Sequence, residues 1–469
     1  MKREKYHQFI KKLLKFLSIF SFSYFFFLIL NANYLKKWSL SGDDLFSLTA
    51  SISDLNNLFY NILHSFSGQY RHITYFLFHF YKPLTPNFFS IFLVHLALVS
   101  LIPTILFFVM GKYKHFWLKI LIISSIFVTP IFYYHTYTIS SLANVLISII
   151  TLILLYYFEN RKKLKSWKYS IAFFSLVLLS FAIKETFIVP LTIYCSAQLL
   201  NIKENKIKGI IFLILPTIVF ILYFLARQNS YSQNTASDYY FVFDFMHNIN
   251  NILDITAWLI NYPRGWQFGA PIRYPIIQPL ISLVNLSVFS FVIVYGIIKN
   301  KLETFSYLLF ILASLILFIF LNNAHLFYID LPFLLMIVLF STMIKSIEGN
   351  YLKVSQILVA VFFIANLTNL VLIKPQWLRY SFVANANKSA INYRKILESN
   401  DYQKYDQICI SDHHRGGFGT EDGNLVNYLS EKRFTVISVK DSILPNKCFT
   451  QNTLRLKNDA WSYSLYNQN

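Results

Sequence analysis

The stretch Phe16-Leu17-Ser18-Ile19-Phe20-Ser21-Phe22-Ser23-Tyr24-Phe25-Phe26-Phe27-Leu28-Ile29-Leu30-Asn31 carries no charge and holds seven aromatic rings. It follows a segment, 1–15, with six Lys or Arg residues. An apolar run of this order reads as a membrane span, because ~30 Å of hydrocarbon needs roughly 20 helical residues. A cleaved signal peptide would need a small-residue cleavage site after the run. Asn33-Tyr34-Leu35-Lys36-Lys37 stands there instead, so the run is expected to stay as an anchor. Ten further runs follow, near 88–110, 117–133, 138–158, 169–183, 186–200, 209–226, 278–298, 304–321, 326–344 and 354–373. They are continuous rather than alternating, which favours helices over a β-barrel. The chain is 14% charged, against roughly 25% in soluble domains. The expectation is an all-α polytopic membrane protein with about eleven transmembrane helices.

Loop charge sets the expected direction. With the N-terminus in the cytoplasm, the inner segments hold 21 of the 42 Lys and Arg residues. The outer loops before residue 374 hold eight: Lys36, Lys37, Arg71, Lys82, Lys184, Arg227, Arg264 and Arg273. Every Asp before residue 374 falls on the outer side. The net charge of +20 then reads as inner-surface anchoring and solvation, not as a nucleic-acid footprint.

The inner loops are short, whereas three outer pieces are long: 33–86, 227–277 and 374–469. The chain divides into a transmembrane module, 1–373, and a small extracytoplasmic α/β domain, 374–469. In the latter, Lys388–Ser399 and Asn424–Glu431 read as helices, and Gln407–Ile410 and Phe434–Val439 as strands. Cys409 and Cys448 both fall there, where a disulfide persists if the compartment is oxidising. Sequence does not show whether they pair.

Asp43-Asp44 stands about ten residues beyond the first span. Leu45, Leu48, Ile52, Leu55, Phe59, Ile62 and Phe66 follow at spacings of three and four, the stripe of an amphipathic helix on a membrane surface. Ser41-x-x-Asp44 fits a capping box, and one acid suits a helix N-terminus. Two adjacent acids beside a membrane are costlier and point to function.

This arrangement resembles the GT-C glycosyltransferases, which take a sugar from a polyprenyl-phosphate carrier on the outer or lumenal face. Protein O-mannosyltransferases and aminoarabinose transferases are of this kind. Two further stretches are similar to that group. One is Thr129-Pro130 through Tyr137 with Ile139-Ser140-Ser141-Leu142-Ala143-Asn144, joining the third and fourth spans. Many relatives carry a glutamate after that proline, where this chain has Tyr134 and His135. The other is Ser180-Phe181-Ala182-Ile183-Lys184-Glu185-Thr186 with Pro190, after the fifth span.

The resemblance implies a GT-C-like fold with surface helices in the outer loops, acting on a glycan, lipid or protein acceptor. It also implies a bacterial inner membrane setting. Such chemistry needs a carboxylate base for the acceptor hydroxyl and cations facing the departing phosphate. Asp43 and Asp44 are the candidate catalytic residues. Asp43 is read as base. Asp44 is read as its orienter or as a ligand to a divalent cation, although the rest of an oxygen cage is not visible. Arg71, Lys184, Glu185, Arg264, Arg273, Tyr274, His325 and Asp330 are candidate substrate-binding residues. Ordinary roles compete at each: interface anchoring for Arg71, a charge pair in a turn for Lys184-Glu185, interhelix bonding for His325 and Asp330, and an aromatic belt around Arg264 and Arg273. His135 is read as structural, and His413-His414-Arg415 as a solvated loop.

No Gly-rich phosphate loop, zinc-ligand spacing or nucleophile elbow is present, which agrees with a lipid-linked donor. Two other readings remain. A polysaccharide polymerase or ligase would lean on outer-loop arginines. A lipid-linked sugar transporter or flippase would show charges within spans and an internal repeat.

Overall fold

The computed structural model describes residues 2–40, 44, 48, 54–58, 72–84, 87–129, 131–159, 164, 166–202, 205–231, 242–262, 276–320, 329–412, 434–439, 444–459 and 462–466. These residues form fifteen α-helices followed by a small sheet. In chain order the helices are α1 (Lys2–Leu35), α2 (His72–His79), α3 (Phe88–Val109), α4 (Phe116–Phe127), α5 (Ile131–Tyr137), α6 (Leu142–Glu159), α7 (Trp167–Phe181), α8 (Ile188–Asn201), α9 (Lys206–Tyr231), α10 (Phe245–Leu259), α11 (Ile277–Lys299), α12 (Lys301–Ile319), α13 (Asp330–Asn350), α14 (Leu352–Tyr380) and α15 (Phe382–Ser399).

A helix occupies each of the apolar runs. Six of the helical segments are long and apolar enough to cross a membrane, or seven if the bent pair α4–α5 counts as one span. The protein is therefore a polytopic helical membrane protein. The two runs at 169–183 and 186–200 form helices of only 15 and 14 residues. The run at 117–133 is not one straight helix: α4 stops at Phe127 and α5 leaves at 65°. Pro130 explains the break, since proline has no N–H to donate and disfavours helix in the residue before it. Helix α1 begins at Lys2 rather than near Phe16. Lys and Arg are good helix formers, so the basic segment continues the span's helix.

Burial separates centre from rim. The apolar window of α13 is 83% buried and that of α6 is 72%, against 11% for α1 and 33% for α14. The rim helices present Ile29, Leu280, Ile357, Ile364 and Val371 outward, an apolar face that fits lipid and not water. Gly296 of α11 lets helices approach closely: a Cβ there would lie 2.5 Å from Thr304 Oγ1 and 3.0 Å from Met343 Sδ.

Helix α14 runs without interruption to Tyr380. Ser381 then caps α15, its hydroxyl accepting from the Ala384 N–H. The strands are β1 (Gln407–Asp412), β2 (Thr435–Val439), β3 (Thr453–Asp459) and β4 (Ser462–Leu465), in the order β2-β1-β3-β4. β1 pairs in parallel with β2 and with β3, and β4 closes the sheet antiparallel to β3. Side chains alternate along β1. Ile408 and Ile410 join a core that is continuous with the helical bundle, and Cys409 faces Leu444 and Cys448. Cys409 and Cys448 are disulfide-bonded, with Cα atoms 5.9 Å apart. The expected helix at Asn424–Glu431 and most of the amphipathic stripe after Asp44 lie outside the described residues; 55–58 are helical.

Candidate functional site

The chain leaves α1 in an extended segment that is tied down at once. The Trp38 indole N–H donates to the Tyr137 carbonyl at 3.0 Å, and its ring lies 4.8 Å from the Tyr137 ring. The Ser39 N–H donates to Asn387 Oδ1 of α15 at 2.7 Å. Beyond this tether, Asp44 is buried, and its Oδ1 accepts from the Ser140 N–H at 2.8 Å. Ser140 belongs to a single 3₁₀ turn, Ile139–Ser141, between α5 and α6. The opening N–H groups of such a turn have no partner within it, so a carboxylate is a fitting acceptor. The first-loop acid is thereby held against the junction of the third and fourth apolar runs.

The same junction holds a second polar group. His95 of α3 directs Nε2 at the His135 carbonyl, 2.9 Å away, and Nδ1 at the Tyr81 hydroxyl, 3.3 Å away. A carbonyl only accepts, so Nε2 carries the proton and Nδ1 accepts from Tyr81. Burial pushes the Tyr81 hydroxyl up, which keeps it a donor. His135, fully buried, places Nε2 3.1 Å from Asp330 Oδ2, and the Ser148 hydroxyl donates to the same oxygen at 3.1 Å. Asp330 opens α13, where the positive end of the helix dipole favours a carboxylate.

Helix α6 organises what lies beside this pair. Asn144 and Ser148 are four residues apart, hence on one face. Asn144 accepts from Lys184 Nζ through Oδ1, and Ser148 donates to Asp330. Lys184 is buried in the link between α7 and α8, just before the 3₁₀ turn Glu185–Phe187. A small cavity opens here, lined by Asn144, Ile147, Thr186, Ser314, Phe318, Asp330 and Leu331. Asp330 and Thr186 line it from one side of the sequence's candidate set, and Lys184 approaches it through Asn144.

Of the sequence-derived candidates, the structure thus brings Asp44, Lys184 and Asp330 to one end of the bundle. Asp330 is engaged between helices, with His135 and Ser148, rather than presented alone to a ligand; His135 pairs an acid across helices, which its position after Pro130 gave no hint of. Asp43, Arg71, Arg264, Arg273, Tyr274 and His325, and the side chain of Glu185, lie outside the described residues. So does His413-His414-Arg415. Among the described residues no three His, Cys, Asp or Glu side chains come together as a metal-ligand set, so no step is assigned to a metal ion.

Sequence reasoning missed Asn31 and Lys374. Lys374 Nζ donates to the Leu30 carbonyl at 2.6 Å and to Asn31 Oδ1 at 2.8 Å, and the Tyr137 hydroxyl donates to the same Asn31 oxygen at 2.8 Å. The signal was available: a lysine and an asparagine at the ends of apolar runs are costly unless partnered. Compared with family models and with curated proteins, the sequence matches none of them.

Proposed function

We propose that this protein is a GT-C-like glycosyltransferase that moves a sugar from a polyprenyl-phosphate carrier to a hydroxyl acceptor on the extracytoplasmic face. In this reading the chain crosses the membrane about eleven times, with a cytoplasmic N-terminus and an extracytoplasmic C-terminal domain, in a bacterial inner membrane. The observation that carries it is the position of Asp44, buried and bonded to the Ser140 N–H. The first-loop acid of the resemblance docks on the third-to-fourth-span junction of the same resemblance. The disulfide in the C-terminal sheet adds support for the orientation, since such bonds persist in oxidising compartments.

The chemistry follows from the roles of the residues. Asp43 takes the proton of the acceptor hydroxyl, whose oxygen attacks the anomeric carbon. The bond from that carbon to the phosphate oxygen breaks, and the polyprenyl phosphate leaves with the electron pair. Arg71, Arg264 and Arg273 meet the growing phosphate charge. Asp44, fixed by Ser140, is the positioning residue for its chain neighbour. Lys184 and Glu185 follow α7 at the same end, and Asp330 with Asn144 supplies polar lining. Tyr274 and His325 complete the proposed contacts to the sugar phosphate.

The test compares surface glycans by mass spectrometry in cells carrying wild type, Asp43→Asn, Asp44→Asn or a deletion, at matched membrane levels. Loss of one defined sugar on deletion and with Asp43→Asn is expected. A second reading, a lipid-linked sugar transporter, draws on the charges buried among the helices: Asp330, Lys184 and Lys374. A glycan lost on deletion but intact in both Asp variants would select that reading and end the first.

A further inference from the structure

A row of uncharged polar side chains runs through the bundle away from Asp44 and Asp330. It starts at the end of α10, where Asn261 adopts φ 61°. The Tyr262 N–H donates to the Ala257 carbonyl and the Asn261 N–H to the Trp258 carbonyl, the two bonds of a Schellman cap. That cap turns the Asn261 side chain into the bundle. Its Oδ1 accepts from the Thr129 hydroxyl at 2.7 Å, and its Nδ2 donates to Asn366 Oδ1 of α14 at 2.7 Å. Asn366 Nδ2 donates to Asn285 Oδ1 of α11 at 3.3 Å, and Asn285 Nδ2 to the Ile260 carbonyl at 3.2 Å.

The row continues beyond these bonded amides. Gln278, Ser282 and Asn285 recur at four and three residues on one face of α11, and all three are buried. Asn369 stands one turn beyond Asn366 on α14 and is fully buried. Short connections make α11 and α14 antiparallel, so Ser282 and Asn369 each lie one turn from the Asn285–Asn366 contact, in the same direction. The side-chain amides of Gln278 and Asn369 and the Ser282 hydroxyl have no hydrogen-bond partner among the described residues. Burying one such group unpaired costs about 1–3 kcal/mol, and here three gather on two facing helices. Groups so placed call for a ligand that both donates and accepts.

We infer that Gln278, Ser282 and Asn369, backed by the Asn285–Asn366–Asn261 ladder, form a subsite for the uncharged sugar ring of the substrate. Each amide offers an acceptor beside a donor, the complement of neighbouring sugar hydroxyls. No charged side chain takes part in the row, so it selects neither phosphate nor carboxylate. Phosphate recognition belongs to the segment between its two ends: Arg264 follows Asn261, and Arg273 precedes Gln278. The row thus flanks, in sequence, the loop to which phosphate binding is assigned. This inference rests on the proposed glycosyl transfer and names where the sugar sits.

The test uses the full-length protein in nanodiscs and three probes: short-chain polyprenyl-phosphate hexoses, the same polyprenyl phosphate without sugar, and free hexoses. Affinity and thermal midpoint are measured for wild type, Ser282→Ala, Asn369→Leu and Gln278→Leu. Wild type is expected to bind one glycosylated carrier about tenfold more tightly than the bare carrier, the worth of one well-made hydrogen bond. Asn369→Leu and Gln278→Leu should erase that difference, leave bare-carrier binding intact and not lower the midpoint. Variants that keep the full preference would overturn the subsite and leave the transferase reading standing. Free-hexose binding that the substitutions abolish, without carrier binding, would support the subsite and count against a lipid-linked donor. A wild type that distinguishes no sugar in either form would overturn the subsite.

Discussion

At the scale of single residues, His135 and Asp330 show how a costly pair is kept. Both are buried, 3.1 Å apart, with the Ser148 hydroxyl on the shared carboxylate oxygen. Taking two charges or strong dipoles out of water is expensive, and their attraction returns that cost only while both are present. His135→Leu alone should therefore destabilise the protein by about 3–5 kcal/mol, and Asp330→Leu alone by a similar amount. The double substitution should cost less than the sum. A double-mutant cycle from thermal midpoints in detergent checks this, and strict additivity would show that the two side chains are not coupled. Asp44 obeys the same logic with a different partner: a buried carboxylate on the Ser140 N–H is stable because the turn at Ile139–Ser141 leaves that donor open.

At the scale of elements, the end of α10 is where a local rule and a tertiary need coincide. The Schellman cap requires a left-handed residue, and glycine is the ordinary choice. Asn261 holds the position at φ 61° because its side chain also joins Thr129 to Asn366. The two demands separate by substitution. Asn261→Gly keeps the turn and loses the amide. Asn261→Ala loses the amide and adds left-handed strain, of roughly 1–2 kcal/mol. Alanine should therefore be the more damaging change by about that amount, measured as the difference in thermal midpoint between the two variants. Equal effects would mean that the amide bonds, and not the backbone, govern the position. The same reasoning explains the break between α4 and α5. Pro130 ends one helix, and the freed end is used: the Thr129 hydroxyl finds Asn261, and α5 delivers His135 to Asp330.

At the scale of the whole molecule, the C-terminal sheet shares a core with the bundle yet carries its own covalent tie. Ile408, Ile410, Leu454 and Leu456 continue the core that holds Trp377 and Tyr393, while the opposite face is closed by Cys409–Cys448. The bridge spans 39 residues of chain. Closing a loop of that size removes unfolded-state entropy worth about 4 kcal/mol. Cys448→Ser should lower the stability of the C-terminal sheet by up to that amount, with the helical signal of the bundle melting as before. Proteolysis of the C-terminal region in native membranes, with and without reductant, reads the difference. Thiol labelling of both cysteines in unreduced protein would remove the bridge from the account.

Membrane residence, the helical class and the positions of the apolar elements were determined by the sequence alone. A charge-free run such as Phe16–Asn31 has no other low-energy setting than a helix in a nonpolar medium. The flanking features were equally legible. Gln407–Ile410 and Phe434–Val439 became β1 and most of β2 because short apolar β-branched runs have a strong local preference for strands. The third and fourth strands were not legible. β3 reads Thr-Leu-Arg-Leu-Lys-Asn-Asp, a polar edge-side sequence that pairs only because β1 is already there.

The partners of polar residues were decided by tertiary structure. Asp44 lies 96 residues from Ser140, and Asp330 182 from Ser148. Periodicity marks which face of a helix is polar, but it carries no record of which helix that face will meet. The choice among partners is made by packing over the whole bundle, where a buried donor must find an acceptor or remain unpaired at full cost. That is why the acids could be singled out from the chain, while His135, Lys374 and the amide row from Asn261 to Asn369 emerged only once the helices were assembled.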